Sequence, residues 1–167
     1  MEQTEVVALY QLLADHGIEV WLDGGWGIDA LIGEQTRPHT DLDIAVRHHD
    51  VAELRQLLMA RGYEPVERAD TQPWMFVLGD EHGHEVDVHS FTFDEHEENI
   101  YGVAYPAESL TGTGSLGNQA VRCIAADWAV KFHTAYAPRT VDRHDLKLLH
   151  ERLGVDVPDQ YLSLIHI

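Results

Sequence analysis

Apolar positions recur at helical spacing in Val6, Val7, Leu9, Tyr10, Leu12 and Leu13, and again in Val51, Leu54, Leu57 and Leu58, where Asp50 can cap the start and Gly62 follows the end. Between these two helices, Val20-Trp21-Leu22 reads as a short buried strand. Ile28 to Ile32 reads as a helix closed by Gly33, a residue suited to a left-handed cap. From Asp41 the pattern changes to strict alternation: Leu42, Ile44 and Val46 share one face of a strand, Asp41 and Asp43 the other. Trp74 to Leu78 and His84 to Phe93 predict antiparallel strands around a turn at Asp80-Glu81-His82-Gly83.

The run Thr111-Gly112-Thr113-Gly114-Ser115-Leu116-Gly117 reads as a connector or turn before Gln119 to Ile124. It does not read as a phosphate loop, because no helix-opening lysine follows. Helices are expected again from about Ala125. Strands and helices alternate early and strands pair later. The predicted fold is therefore a mixed α/β (α+β) domain, with a short twisted mixed sheet flanked by helices and a small C-terminal helical region. No internal repeat is present.

Within this framework two local features carry chemistry. Magnesium is held by hard oxygen ligands, usually one or two carboxylates together with substrate phosphates and water, and a strand bearing Asp41 and Asp43 on one face supplies such a pair. Upstream, Gly24 and Gly25 sit between a strand and a helix. Backbone N–H groups there can approach phosphate without a Cβ in the way, and the helix N-terminus favours negative charge. Either feature alone is commonplace, the glycines as a structural turn and the acids as a polar strand face. Their order and spacing together point to phosphoryl or nucleotidyl transfer.

A third acid follows from the predicted hairpin, whose second strand places Glu85, Asp87 and His89 on one face and Val86 and Val88 on the other. If that face joins Asp41 and Asp43, three carboxylates converge, and such a cluster calls for a cation. Asp87 is then the candidate to orient or deprotonate an attacking hydroxyl. Read by itself, the segment is equally compatible with an exposed polar strand face. The twelve histidines suggest no zinc centre, because His82, His84, His89, His48 and His49 match no recognised spacing and Cys123 is the one cysteine. Cys123 itself reads as a buried small hydrophobe.

Gly24-Gly25-Trp26, the Arg37-x-His39-x-Asp41-Leu-Asp43 run and Asp87 within Glu85-Val86-Asp87-Val88-His89 resemble the small antibiotic nucleotidyltransferases. These are the lincosamide nucleotidyltransferases and aminoglycoside 2''-adenylyltransferases, within the DNA polymerase β-like superfamily. The resemblance extends through Phe132-His133-Thr134-Ala135-Tyr136 and Asp142-x-x-Asp145-x-Lys147, which are closer to the lincosamide branch. The wider superfamily often has Gly-Ser where this chain has Gly25-Trp26, so a serine contact to phosphate is not available. Trp26 agrees with the antibiotic branch.

The resemblance implies a polymerase β-like nucleotidyltransferase core over residues 1–110. Residues 111–161 would supply a strand and helices that complete the acceptor site, and 162–167 resemble a non-native tail. It also implies ATP as nucleotide donor, Mg²⁺ as cofactor, and a small cationic antibiotic, lincosamide or aminoglycoside, as acceptor. Asp41, Asp43 and Asp87 are the expected metal ligands, with Asp87 also the base. Gly24, Gly25 and Arg37 are expected to hold phosphates, Lys131 or Lys147 to add a cation, and His39 to orient a carboxylate. Two alternatives use the same domain without catalysis: an antitoxin that binds a protein partner, and a small-molecule-binding protein that needs no metal.

Composition narrows the partners. With 44% apolar residues in 167, the chain can bury one sizeable core. The 29 acids against 11 bases give a formal charge of −18, which argues against nucleic acid and favours a cationic acceptor. A soluble acidic surface accounts for much of the same charge. Residues 1–5 lack a basic n-region and no segment approaches a membrane span, so a cytoplasmic enzyme is expected, with a homodimer left open.

Overall fold

The computed structural model describes residues 1–165. Among the described residues, six α-helices surround one mixed sheet: α1 (Gln3–Asp15), α2 (Gly24–Ile32), α3 (Val51–Met59), α4 (Ala126–His133), α5 (Thr140–Leu153) and α6 (Asp159–Ile165). The strands are β1 (Val20–Asp23), β2 (Asp41–Arg47), β3 (Glu64–Val66), β4 (Met75–Gly79), β5 (Glu85–Phe93), β6 (Asn99–Gly102), β7 (Gly112–Leu116) and β8 (Gln119–Cys123). They join in the order β3-β4-β5-β2-β1-β8-β7, with β6 paired to β5. The pairs β2/β5 and β1/β8 are parallel, and the rest are antiparallel. Because β8 adds to the edge of β1, the segment after residue 110 completes the same sheet. Among the described residues no helix is long and apolar enough to cross a membrane.

The alternation along the central strands becomes two cores. Val20, Leu22, Leu42, Ile44, Val46, Val86 and Val88 face α1 and α3. Trp21, Ala45 and Phe91 face the C-terminal helices, packing with Ile124, Ala129, Val130, Leu146, Leu149 and Tyr161. The carboxylate-bearing positions of β1, β2 and β5 share this second face, so α4 and α5 overhang the polar end of the strands.

Two expectations change in detail. Gly24 and Gly25 form no separate turn: they are the first residues of α2, and Asp23 is its N-cap, accepting from Gly24 N–H at 2.7 Å. The Gly-rich segment expected as a connector is strand β7, and only Gly117, at φ +58°, makes the turn into β8. Glycine suits that strand because α2 lies directly on it, so a Cβ at Gly114 would collide with the Ala30 carbonyl. The short strands β3 and β6 carried too little pattern to be foreseen, and Pro65 fits β3 because β3 is the sheet edge. The Gly33 cap is as expected, with φ +96° and its N–H on the Asp29 carbonyl. Helix α6 runs into the suspected tail through residue 165. Residues 166 and 167 of that tail lie outside the described residues.

Candidate active site

Strand register builds the site. Asp23 at the end of β1 pairs with Asp43 of β2 in the antiparallel ladder, and Asp43 pairs with Asp87 of β5 in the parallel one. Three carboxylates from three neighbouring strands therefore stand in a row, with Asp41 and Glu85 paired one step outward. The chain reaches this arrangement because β1, β2 and β5 are central strands whose apolar partners fix which face each acid takes.

The row is electrostatically strained without a cation. Burial, then the charges of Asp41, Asp23 and Asp87, push the Asp43 carboxyl up to about 8, with His89 pulling the other way. His89 is held by that same charge. Burial disfavours its imidazolium, yet the Asp87 hydrogen bond and the Asp87, Asp43 and Asp23 charges raise its pKa above the ordinary value. Its Nε2 lies 3.2 Å from Asp87 Oδ1, and its Nδ1 lies 3.3 Å from the Tyr105 hydroxyl. Tyr105 in turn donates to Asp23 Oδ2 at 2.7 Å. Asp23, Tyr105, His89 and Asp87 thus form a hydrogen-bonded arc around Asp43.

Asp43, Asp87 and His89 bring ligand atoms within 4.8 Å of one another. Hard carboxylate oxygens gathered around a carboxyl that resists ionising fit a divalent cation of the magnesium type. Asp41 is exposed and stands beside this group without belonging to its tightest set.

Gly24 and Gly25 form the floor next to the acids. Gly24 takes φ +56°, and a Cβ there would run into the Asp43 carboxylate; one at Gly25 would meet Arg37 and His39. His39 is buried, with Nε2 2.6 Å from Asp29 Oδ2 and its ring 4.4 Å from Trp26. It therefore does orient against a carboxylate, but that carboxylate is Asp29. Arg37 is locked to Asp145 by Nε–Oδ1 and Nη2–Oδ2 bonds, each 3.1 Å.

These groups border a cleft of about 740 Å³, closed from the other side by Phe132, His133, Tyr136, Arg139 and Val141 of the C-terminal segment. Arg139 there is bonded to Asp142 and Tyr136. A second cavity, of about 300 Å³, opens beside β4 and β5 and shares Asp41, Asp87 and His89 with the first. Asp87, at one end of the acid row, therefore borders both cavities, as does Asp41.

The structure brings Gly24, Gly25, Arg37, Asp41, Asp43 and Asp87 to one cleft. It does not bring Lys131, whose ammonium sits 4.0 Å over the Trp128 ring and which is not among the cleft-lining residues. Lys147 is exposed on α5 and also lies outside the lining. Asp23 and His89 went unassigned in the sequence, although alternation with Trp21 and with Asp87 places both on the acid face. Tyr105 and Arg139 had no local signal.

The family model for aminoglycoside-2''-adenylyltransferase matches residues 5–149. A lincosamide resistance protein of Staphylococcus haemolyticus is 26% identical over 152 residues, covering 88% of this chain and 93% of that protein. A 2''-aminoglycoside nucleotidyltransferase of Klebsiella pneumoniae is 32% identical over 84 residues, about half of each chain at 48% and 47%. Among solved structures, a lincomycin-bound lincosamide adenylyltransferase superposes with a TM-score of 0.79 at 23% identity, over 90% of this chain and 98% of that one. An ANT(2'')-Ia complex with adenylyl-2''-tobramycin gives 0.74 at 19% identity, over 98% and 94%. These two establish the likeness of fold. Because the family model spans most of the chain, this protein belongs to the aminoglycoside-2''-adenylyltransferase family of antibiotic nucleotidyltransferases.

Proposed function

We propose that this protein transfers AMP from ATP to a hydroxyl of a lincosamide or aminoglycoside in a Mg²⁺-dependent, cytoplasmic reaction, with pyrophosphate leaving. The observation that carries the reading is the pairing of Asp43 with Asp87, which sets the D-x-D acids beside a third carboxylate, Asp87, that borders both cavities. The larger cleft, with Gly24, Gly25, Arg37, Arg139 and two aromatic rings, suits a nucleoside triphosphate. The smaller one leaves the acceptor to approach Asp87 from the opposite side.

Asp41, Asp43 and Asp87 would hold the metal. Bound there, Mg²⁺ would neutralise charge on the phosphates during in-line displacement. The rest falls to the protein. Gly24 and Gly25 admit the phosphates against backbone, Arg37 presents a fork of donors fixed by Asp145, and Phe132 and Tyr136 offer stacking surfaces for a base. Asp87 accepts the proton of the attacking hydroxyl, while His89 and the Tyr105–Asp23 bond keep its carboxylate in place. Lys131 has no part in this assignment.

Mass spectrometry of lincomycin and tobramycin incubated with ATP or GTP, with and without Mg²⁺, tests the reading. It expects gain of one adenylyl group and release of pyrophosphate, both abolished by EDTA. Unmodified acceptors under every condition would overturn it.

A further inference from the structure

The smaller cavity contains one arginine among four carboxylates. Asp41, Asp70, Glu85 and Asp87 line it together with Arg68, Thr71, Met75 and His89. Arg68 is exposed yet paired: its Nη2 bonds both oxygens of Glu85, with Oε1 at 2.7 Å. Glu85 pairs with Asp41 across β2/β5 and, two positions before Asp87, shares its strand face. The carboxylate next in line outward from the proposed base is therefore already occupied by a cation from the protein itself.

The loop that delivers Arg68 is fixed at both ends. Arg68 N–H donates to Thr71 Oγ1 at 2.8 Å, and Thr71 N–H returns to the Arg68 carbonyl at 3.2 Å. Further along, Gln72 and Met75 exchange backbone bonds, and the Trp74 carbonyl accepts from both the backbone and the hydroxyl of Ser90. These contacts leave the Arg68 side chain free to be displaced while its backbone stays put.

We propose that Arg68 is a specificity-determining residue, holding Glu85 so that acceptors with several ammonium groups are disfavoured relative to acceptors with one. The inference rests on the reading of the smaller cavity as the acceptor side of a nucleotidyltransferase. An incoming ammonium near the reacting hydroxyl meets Glu85 already neutralised, and either displaces Arg68 or lies close to a like charge. A mono-amine acceptor can keep its one cation elsewhere and is indifferent to the pair. Since the pair is half exposed, the effect is a modest selectivity, not a block.

The test compares tobramycin, a polyamine, with lincomycin, a mono-amine, in wild type, Arg68→Gln and Glu85→Gln. Arg68→Gln should raise kcat/KM for tobramycin about five-fold and leave lincomycin within about two-fold, with KM for ATP unchanged. Glu85→Gln, which strands Arg68 as an unpaired cation, should move tobramycin in the opposite direction. A merely structural ion pair would shift both acceptors together in both variants, and that result overturns the proposal. So does a fall in tobramycin kcat/KM in Arg68→Gln, which would make Arg68 an acceptor ligand. For a compound the wild type binds but does not turn over, calorimetric affinity replaces kcat/KM, with the same signs expected. Absence of adenylylation of both compounds would refute the proposed reaction, and the affinity ratio would still decide the role of Arg68.

Discussion

Arg37 and Asp145, 108 positions apart, are joined by two parallel hydrogen bonds of 3.1 Å that tie the residue pair before β2 to helix α5. Thr36 to His144 and Glu34 to Arg152 extend the seam, at 3.2 and 3.5 Å. The Asp145 side chain is 1% exposed and that of Arg37 20%, so the pair is asymmetric in what each partner can recover from water. Arg37→Ala strands a buried carboxylate with only His133, 3.8 Å away, for company, and should cost about 3 kcal/mol. Asp145→Asn leaves a guanidinium that can still reach solvent and should cost less, about 2 kcal/mol. Urea unfolding of both variants checks the order, and equal or reversed losses would mean that the seam does not carry the docking of α5.

Asp43→Asn should lower turnover by at least ~10²-fold, since it removes a ligand and leaves phosphate charge uncompensated. Its effect on stability has the opposite sign. The Asp43 carboxyl is raised in the fold to about 8, so the metal-free native state binds an extra proton over the range from about 4 to 8. Stability therefore falls as pH rises through that window, and ionised Asp43 is a burden above it. In EDTA, Asp43→Asn should unfold at a higher temperature than wild type at pH 8.5, the two converging near pH 4. Adding Mg²⁺ should stabilise the wild type more at pH 8.5 than at pH 5. Identical melting curves at both pH values would remove Asp43 from the strained row.

Asp87→Asn should keep ATP affinity within a few-fold while depressing turnover by ~10²–10⁴, the range for loss of a general base. Loss of Mg²⁺·ATP binding in step with activity would instead make Asp87 chiefly a metal ligand.

Gly24→Ala places a Cβ against the Asp43 carboxylate at a backbone position of φ +56°. The strain should cost on the order of 1–3 kcal/mol, and the displaced Asp43 should weaken nucleotide binding in the fraction that folds. Calorimetry with Mg²⁺·ATP on the folded variant is the measurement; wild-type affinity would reduce the glycine to a structural start of α2.

Much of the fold was legible because it is written in local periodicity. Alternation in Asp41 to Val46 and Glu85 to Phe93 fixed which face each carboxylate takes, and helical spacing marked α1 and α3. Strand β7 was not legible, since its glycines answer to backbone lying against them, α2 at Gly114 and residues 123–125 at Gly112, and not to any preference of their own. Lys131 was expected at the phosphates as a cation, and its ammonium lies over the neighbouring Trp128 ring.

The chain by itself determined the acid face, the glycines at the start of α2 and the family motif, because each depends on residues close in sequence. Only tertiary structure decided that Asp23 joins the row, that His89 and Tyr105 close an arc around it, and that Asp145 holds Arg37. Those pairings come from strand order and from the seating of α5 on the α2–β2 loop. Such long-range packing is set by burial of whole faces, which no short window of sequence encodes.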